Sequence, residues 1–272
     1  MPPGDLITQP GQAEIRGLLI GRATPYAVQT WEGLGLPEVA DNDQEFDGDD
    51  GSSAGFDRYP KRSISASIGI TAANRDELGV RRDALAAAMR RAGGPAETVP
   101  FVIRLSATPR RFHVRPRRLE LPWERFAEHG LMLSGALMVE ALDPYGYSTT
   151  EHLETITIAD DETTASAVID NAGNGRTRPT LEITGPATDP VVANLETGRA
   201  ARFVVTLGSS DVLEVDVASG IMLLNGSRVW VGASDYEVLE LAPGTQELSF
   251  TRTGGGIPAT CDVRWRDGWL SA

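Results

Sequence analysis

Cysteine is almost missing. A single thiol, Cys261, stands in 272 residues, which excludes an internal disulfide and any cysteine-rich metal site. Lysine is as scarce, with Lys61 alone among 25 basic residues, so the positive charge is guanidinium charge. Long hydrophobic runs are absent too: the longest, Leu131 to Val139, is interrupted by Ser134 and Gly135 and is far too short to span a bilayer. The opening Met-Pro-Pro-Gly-Asp has neither a basic region nor an apolar core, so no signal peptide is expected. The fold therefore rests on packing alone, with no membrane partner expected.

Hydrophobic residues make up 41% of the chain, which is enough for an ordinary core and too much for disorder. Glycine (29) and proline (17) are frequent enough to punctuate many short strands. The net charge is −13, and a phosphate backbone would be repelled by it, so stable nucleic-acid binding is not expected. The charge is uneven: Met1 to Thr150 holds 17 basic and 20 acidic residues, whereas Glu151 onward holds 8 and 18.

Periodicity locates the elements. Ala13 to Ile20 and Ala27 to Trp31 read as short extended pieces, and Glu38 to Pro60 as a long exposed loop of Asp, Glu, Gly and Ser. Ile64, Ala66, Ile68 and Ile70 alternate with small polar residues, the pattern of a half-buried strand. Asn74 is placed to cap a helix running to about Arg91, with Leu78, Leu85 and Met89 as its buried stripe and Gly93-Gly94 as its stop. Pro100–Leu105, Phe112–Val114 and Leu131–Leu142 read as further strands. A boundary near 145–155 fits the Asp143-Pro144-Tyr145-Gly146 turn and the change in charge balance, giving domains 1–150 and 151–272. The second half is nearly all β, with strands about Leu181–Ile183, Phe203–Leu207, Leu213–Val217, Gln246–Thr251 and Ala259–Trp265. Pro243-Gly244 and Gly254-Gly255-Gly256 serve as turns, and Asn225-Gly226 is a strong hairpin signal. Strands of this length and spacing point to a sandwich or jelly roll.

Several patterns suggest chemistry and fail on context. Gly51-Ser52-Ser53-Ala54-Gly55 matches a serine-nucleophile pentapeptide, but that motif needs a strand before it and a helix after it. An acidic, turn-rich run precedes this copy and Asp57-Arg58-Tyr59-Pro60 follows, so a loop is the cheaper reading. The carboxylates Asp41, Asp43, Glu45, Asp47, Asp49 and Asp50 suggest calcium, yet a loop begun at Asp43 has Ala54 where its bidentate Glu belongs. His113, His129 and His152 share no ligand spacing, and no glycine-rich loop leads into a helix as a phosphate cradle must. No catalytic residue, metal or cofactor is expected.

Two groups remain as candidate contacts. Arg110, Arg111, Arg115, Arg117 and Arg118 stand out against the acidic background, and forked guanidinium groups suit carboxylates on neighbouring subunits. Trp230 and Trp269 are candidates for a glycan platform, whereas Trp265 runs in phase with Val263 and reads as core.

Taken in order, these features resemble the distal tail proteins of long, non-contractile-tailed bacteriophages, also called minor tail proteins. The first half matches through Gly35-Leu36-Pro37-Glu38-Val39, the acidic loop with Asp47-Gly48, Gly55-Phe56-Asp57-Arg58-Tyr59, the Arg62–Ile70 strand and the Asp76–Arg91 helix. The second matches through Asn171-Ala172-Gly173, Pro179 to Gly185, Leu213-Glu214-Val215-Asp216, the Asn225-Gly226 hairpin, Leu241-Ala242-Pro243-Gly244 and Val263-Arg264-Trp265-Arg266. The resemblance implies a mainly β protein: an N-terminal split-barrel belt domain with one helix, then a C-terminal galectin-like sandwich. It implies a structural virion protein at the distal end of the tail, made in the bacterial host cytoplasm. Six copies would close a ring around the DNA channel, joining the tail tube and tape measure to tip and receptor-binding proteins. A module attaching the particle to host cell-wall glycan is the alternative.

Overall fold

The Ser63–Ile70 alternation does form a strand, and the first half of the chain is organised around it. The computed structural model describes residues 1–48, 50–94, 97–122, 131–230, 238–254 and 257–272. It divides the chain into two units, Met1–Thr149 with Leu270–Ala272, and Thr150–Trp269. The sequence expectations at Asp49, His129 and Gly255-Gly256 lie outside the described residues. The protein is mainly β, and α1 is the one α-helix among the described residues.

The first unit holds β1 (Gln12–Ile15), β2 (Leu18–Gly21), β3 (Tyr26–Glu32), β4 (Gln44–Glu45), β5 (Ser52–Ser53) and β6 (Arg62–Thr71). These are followed by α1 (Arg75–Ala88), β7 (Val99–Arg104), β8 (Arg110–Glu120), β9 (Met132–Ala141) and β10 (Gly146–Ser148). The main sheet runs β2-β1-β7-β8-β9-β6-β3, with β10 added beside β8 and every pair antiparallel. Its two terminal strands, β2 and β3, approach one another, so the sheet curls into a split barrel. The concave side holds Ile15, Ile20, Ile64, Ile68, Ile70, Phe101, Ile103, Phe112, Val114, Leu133 and Val139, all essentially without solvent contact.

Proline shapes β8. Pro116 has no N–H to give to a ladder, and at Pro116/Arg118 the register with β9 shifts by a bulge. A bulge sets an extra residue into the strand, and Arg117 and Arg118 are consecutively exposed there.

The helix begins where its cap was expected. The Asn74 side chain accepts from Glu77 N at 2.8 Å and Glu77 accepts in return from Ala73 N at 2.7 Å. It ends earlier than the sequence suggests, with Met89 as C-cap, so Arg90 and Arg91 lie beyond it. A cation from elsewhere serves that end: Arg16 Nη1 donates to the Arg90 carbonyl at 2.8 Å and the Ala88 carbonyl at 3.4 Å.

The second unit carries β11 (His152–Ile158), β12 (Thr164–Asn171), β13 (Thr180–Thr184), β14 (Ala187–Asn194), β15 (Ala200–Arg202), β16 (Thr206–Leu207) and β17 (Val212–Asp216). Then come β18 (Ile221–Leu224), β19 (Ser227–Arg228), β20 (Gly244–Thr253), β21 (Ala259–Trp265) and β22 (Gly268–Trp269). One sheet runs β11-β21-β13-β17-β18-β19 and the other β12-β20-β14-β15, with β16 also on β14. Their inner faces enclose a core containing Ile156, Ile169, Leu181, Ile183, Phe203, Val215, Phe250, Cys261 and Val263, a β-sandwich. Cys261 is one of these packing residues, and burial pushes its thiol pKa up.

Asn225 and Gly226 take φ of 51° and 76°, the two positive values of a type I′ hairpin. Of the strand expected over Phe203–Leu207 only Thr206–Leu207 forms, and the chain pairs earlier as well, over Ala200–Arg202. The partner strand β14 carries Pro190 and a register shift between Thr188 and Val191, so β15 and β16 pair with β14 separately on either side of that bend.

Candidate assembly surface

The loop read from Glu38 to Pro60 is a built arm. Ala40 and Arg58 exchange backbone hydrogen bonds at 2.9 and 3.1 Å, and β4 pairs with β5 beyond them. Asp43 accepts from Gly55 N at 2.8 Å and Asn42 Nδ2 donates to the Phe56 carbonyl at 2.8 Å. A Cβ at Gly55 would stand 2.2 Å from the Asn42 carbonyl oxygen, so only glycine permits this crossing. Ser52 and Ser53 form an exposed two-residue strand and residues 54–60 after them form no helix, so the strained elbow of the nucleophile motif is not built here.

Arg62 fixes the root of the arm. This buried side chain donates through Nε to the Pro144 carbonyl at 2.8 Å and through Nη1 to the Gly35 and Gly33 carbonyls at 2.9 and 3.2 Å. Nη2 donates to the Leu270 carbonyl. Its guanidinium lies 5.4 Å from the centre of the Phe112 ring, and burial lowers its pKa. Leu34 is buried in the core beside it, and its carbonyl accepts from Ala272 N at 3.0 Å.

The arm leaves this rigid root with apolar groups in solvent. Phe56 is 92% exposed, Leu36 72%, Val39 53% and Phe46 51%. Aromatic side chains in water are unremarkable singly, but several on one projecting acidic element form a contact-type surface. From Glu38 to Asp57 the arm has eight acidic residues and no basic one.

The arginines of β8 divide. Arg110 is 9% exposed and bonds Thr108 Oγ1 at 2.7 Å, so burial removes it from any outward contact. Arg111 and Arg115 are half-buried, and Arg115 donates to the Gly94 carbonyl at 3.2 Å. Arg117 and Arg118 are exposed at the bulge. Arg117 pairs with Glu140 at 2.7 Å, Lys61 meets the other oxygen of Glu140 at 2.8 Å, and Arg118 pairs with Glu120. The hydrogen bond from Lys61, and then Arg117, hold the Glu140 carboxyl below its ordinary pKa. Lys61, Arg117 and Arg118 thus set three cations against the two carboxylates Glu140 and Glu120. Periodicity could not have added Lys61 and Glu140 to this group, because cross-strand register brings them in.

The tryptophans are not brought together. Trp230 is 92% exposed after β19, with Arg228 5.9 Å from its ring. Trp269, in β22, is half-buried. Trp265 is 8% exposed, stacks on His152 at 5.2 Å and donates to the Asp170 carbonyl at 3.1 Å.

Residues 172–269 match the family model of the siphovirus-type tail component, C-terminal domain. Among solved structures, the chain is similar to the Dit (gp 19.1) protein of phage SPP1, described as a paradigm of hub adsorption apparatus in Gram-positive infecting phages. The identity is 16%, the TM-score 0.66, and the match covers 93% of this chain and 97% of that one. A chain of the phage p2 baseplate in its activated conformation is similar over the same shares, at 9% identity and a TM-score of 0.49. No curated protein sequence matches. The likeness to Dit is one of fold. Together with the family match, it supports the resemblance to siphophage distal tail proteins read from the residues.

Proposed function

We propose that this chain, whose residues 172–269 match the model of the siphovirus-type tail component, C-terminal domain, is a structural hub of a phage tail tip that self-assembles into a hexameric ring. The observation that carries the reading is the pairing, within one unit, of an acidic arm bearing exposed Phe46 and Phe56 with a basic surface at Lys61, Arg117 and Arg118. Two unlike, complementary surfaces on one subunit make a heterologous contact, and such contacts close into rings when the rotation allows. Phenylalanine supplies apolar area and the charges supply orientation.

In this reading the split barrel is the belt domain of the ring, and the sandwich is a galectin-like domain. The ring stands at the distal end of the tail, between the tail tube and tape measure on one side and tip or receptor-binding proteins on the other. DNA passes through without binding, and a negative wall suits that passage. The role is structural, not enzymatic.

The test is molar mass by light scattering on the purified chain, with negative-stain images of the same fractions. Annular particles near six chain masses support the reading, and Phe46→Ser/Phe56→Ser should shift them to monomer without unfolding. Wild type that stays monomeric at high concentration and with tail tube protein present, or a double variant that still closes rings, would overturn it. Trp230, with Arg228 beside its ring, favours the second reading, a glycan contact. Glycan-array binding lost in Trp230→Ala would support it, and a silent array would remove it.

A further inference from the structure

The sheets of the second unit end in open edges that are not alike. Among the described residues β15 offers three residues and β19 two, and β11, the edge of the six-stranded sheet, exposes the charge of Glu154. β12 runs for eight residues, Thr164–Asn171, paired with β20 without a break in register, and no described strand flanks its other side. Sheet edges are ordinarily blunted by shortness, proline, a bulge or a charged side chain, above all lysine. From Thr164 to Ile169 the sequence Thr-Ala-Ser-Ala-Val-Ile has none of these devices.

The phase of this edge is fixed. Arg252 N donates to the Thr163 carbonyl at 2.9 Å, so in this register Thr163, Ala165, Ala167 and Ile169 turn their backbone groups to β20. The residues between them turn theirs the other way, as an antiparallel ladder requires. Thr164, Ser166 and Val168 therefore aim three N–H and three C=O groups away from the sheet, and none of the six has a protein partner among the described residues. Their hydroxyls do not cover them: Thr164 Oγ1 lies 3.0 Å from Thr251 Oγ1, and Ser166 Oγ donates to Glu247, both on β20. All three residues are exposed, Val168 by 63%. The open row stops at Asp170, whose carbonyl accepts from Trp265 Nε1 at 3.1 Å.

Side chains and charge narrow what would fit. The inward residues beside the open row are Ala165 and Ala167, only half-buried against the core, whereas Ile158 and Ile169 are fully buried. From Glu154 to Asp170 there are five acidic residues and no basic one. Asp160, Asp161 and Glu162 are exposed just before β12, and Asp170 is exposed near its end. The cation beneath the first group, Arg252, is buried and gives its hydrogens to carbonyls, among them those of Ala159 and Glu162. Antiparallel pairing with the β12 of a second copy would bring carboxylates against carboxylates at both ends, so the edge suits a basic partner.

We propose that β12 receives an extended basic segment of another protein as an added strand. The backbone of that segment takes up the outward N–H and C=O groups of Thr164, Ser166 and Val168, and its alternate apolar side chains cover Ala165 and Ala167. A lysine or arginine at each end meets Asp160, Asp161 and Glu162 on one side and Asp170 on the other. Main-chain hydrogen bonds give such a contact its affinity, and side-chain alternation and charge give it selectivity. Every residue lies in the second unit, so the contact stands or falls independently of ring closure.

The test is fluorescence anisotropy of the full chain in low-salt buffer with labelled synthetic peptides. The first alternates valine and threonine between terminal arginines, the second has glutamates in place of the arginines, and the third has proline for its central valine. The first should bind, the other two should bind roughly tenfold or more weakly, and added salt should weaken the first. Amide exchange over residues 163–170 should slow when the first is bound. Val168→Pro removes one outward N–H and leaves the β20 ladder whole, so it should weaken binding about tenfold with the urea midpoint little changed. Asp160→Asn/Asp161→Asn/Glu162→Gln, on the exposed turn, should weaken it severalfold and flatten its salt dependence. No binding of the arginine peptide by wild type, equal binding of the glutamate peptide, or unchanged affinity in both variants overturns the proposal. So does protection of residues 163–170 that rises with chain concentration alone, which assigns the edge to a second copy.

Discussion

Each unit buries one arginine on four backbone carbonyls, but the two serve different surroundings. Arg62 gathers the carbonyls of Gly33, Gly35, Pro144 and Leu270, which belong to the root of the arm, the β9–β10 turn and the end of the chain. Arg252 gathers those of Ala159, Glu162, Pro186 and Ile257, all in turns of the sandwich. In the first unit buried charge thus supports an outward apolar arm. In the second, the buried amides of Asn194 and Gln246 support an outward cluster in which Arg176, Arg178 and Arg199 meet Glu240. Buried polar groups act here as fasteners, and what they fasten differs between an element that presents phenylalanine and one that presents arginine.

That contrast is testable. The largest effects should come from Arg62→Met and Arg252→Met, each removing a buried donor shared by four carbonyls and destabilising its own unit by about 2 to 3 kcal/mol. Hydrogen exchange followed by mass spectrometry should localise the lost protection to residues 1–149 for the first variant and 150–269 for the second. Equal loss in both units would contradict separate fasteners. Next, Asn194→Leu should cost about 2 to 3 kcal/mol in urea unfolding, because it strands the Glu196 and Thr197 amides and the Glu240 carbonyl.

A smaller effect concerns pH. The Glu140 carboxyl is held below its ordinary value by Lys61 and Arg117. Its stabilisation is therefore fully present above the unfolded-state value of about 4.3 and is lost as pH falls through the lower folded value. Both cations are partly solvated, so the contribution is about 1 kcal/mol. Glu140→Gln should lower the urea midpoint at pH 7 and leave it nearly unchanged at pH 3, and an equal change at both would refute the pairing. Smallest and most local, Asn74→Ala should cost about 1 kcal/mol through the lost helix cap, visible as faster exchange in the first turn of α1.

Much of the fold was legible because alternation and turn chemistry are local. Ile64 to Ile70 reads as a strand without knowledge of its partners, and Asn225-Gly226 marks its hairpin because few other pairs adopt two positive φ values. Other strands were not legible. β11, β12 and β14 have weak alternation or an internal proline, and cross-strand pairing supplies what local pattern does not. The candidate contacts were legible only as residue types: five neighbouring arginines look equivalent in sequence, whereas strand phase buries Arg110 and the Pro116 bulge exposes Arg117 and Arg118. No periodicity marks Phe46 and Phe56 as contact residues within an acidic loop, since exposure is a property of the folded surface.

The sequence by itself determined a mainly β chain with one capped helix and no cysteine framework. Periodicity, turn residues and composition act over a few residues and need no tertiary partner. Only the tertiary structure decided which polar groups meet. Arg62 lies 208 residues from the carbonyl of Leu270, and Glu240 lies 64, 62 and 41 residues from Arg176, Arg178 and Arg199. Side-chain chemistry specifies that each buried donor must find an acceptor, but the identity of that acceptor follows from strand order and register, which are set by the whole core at once.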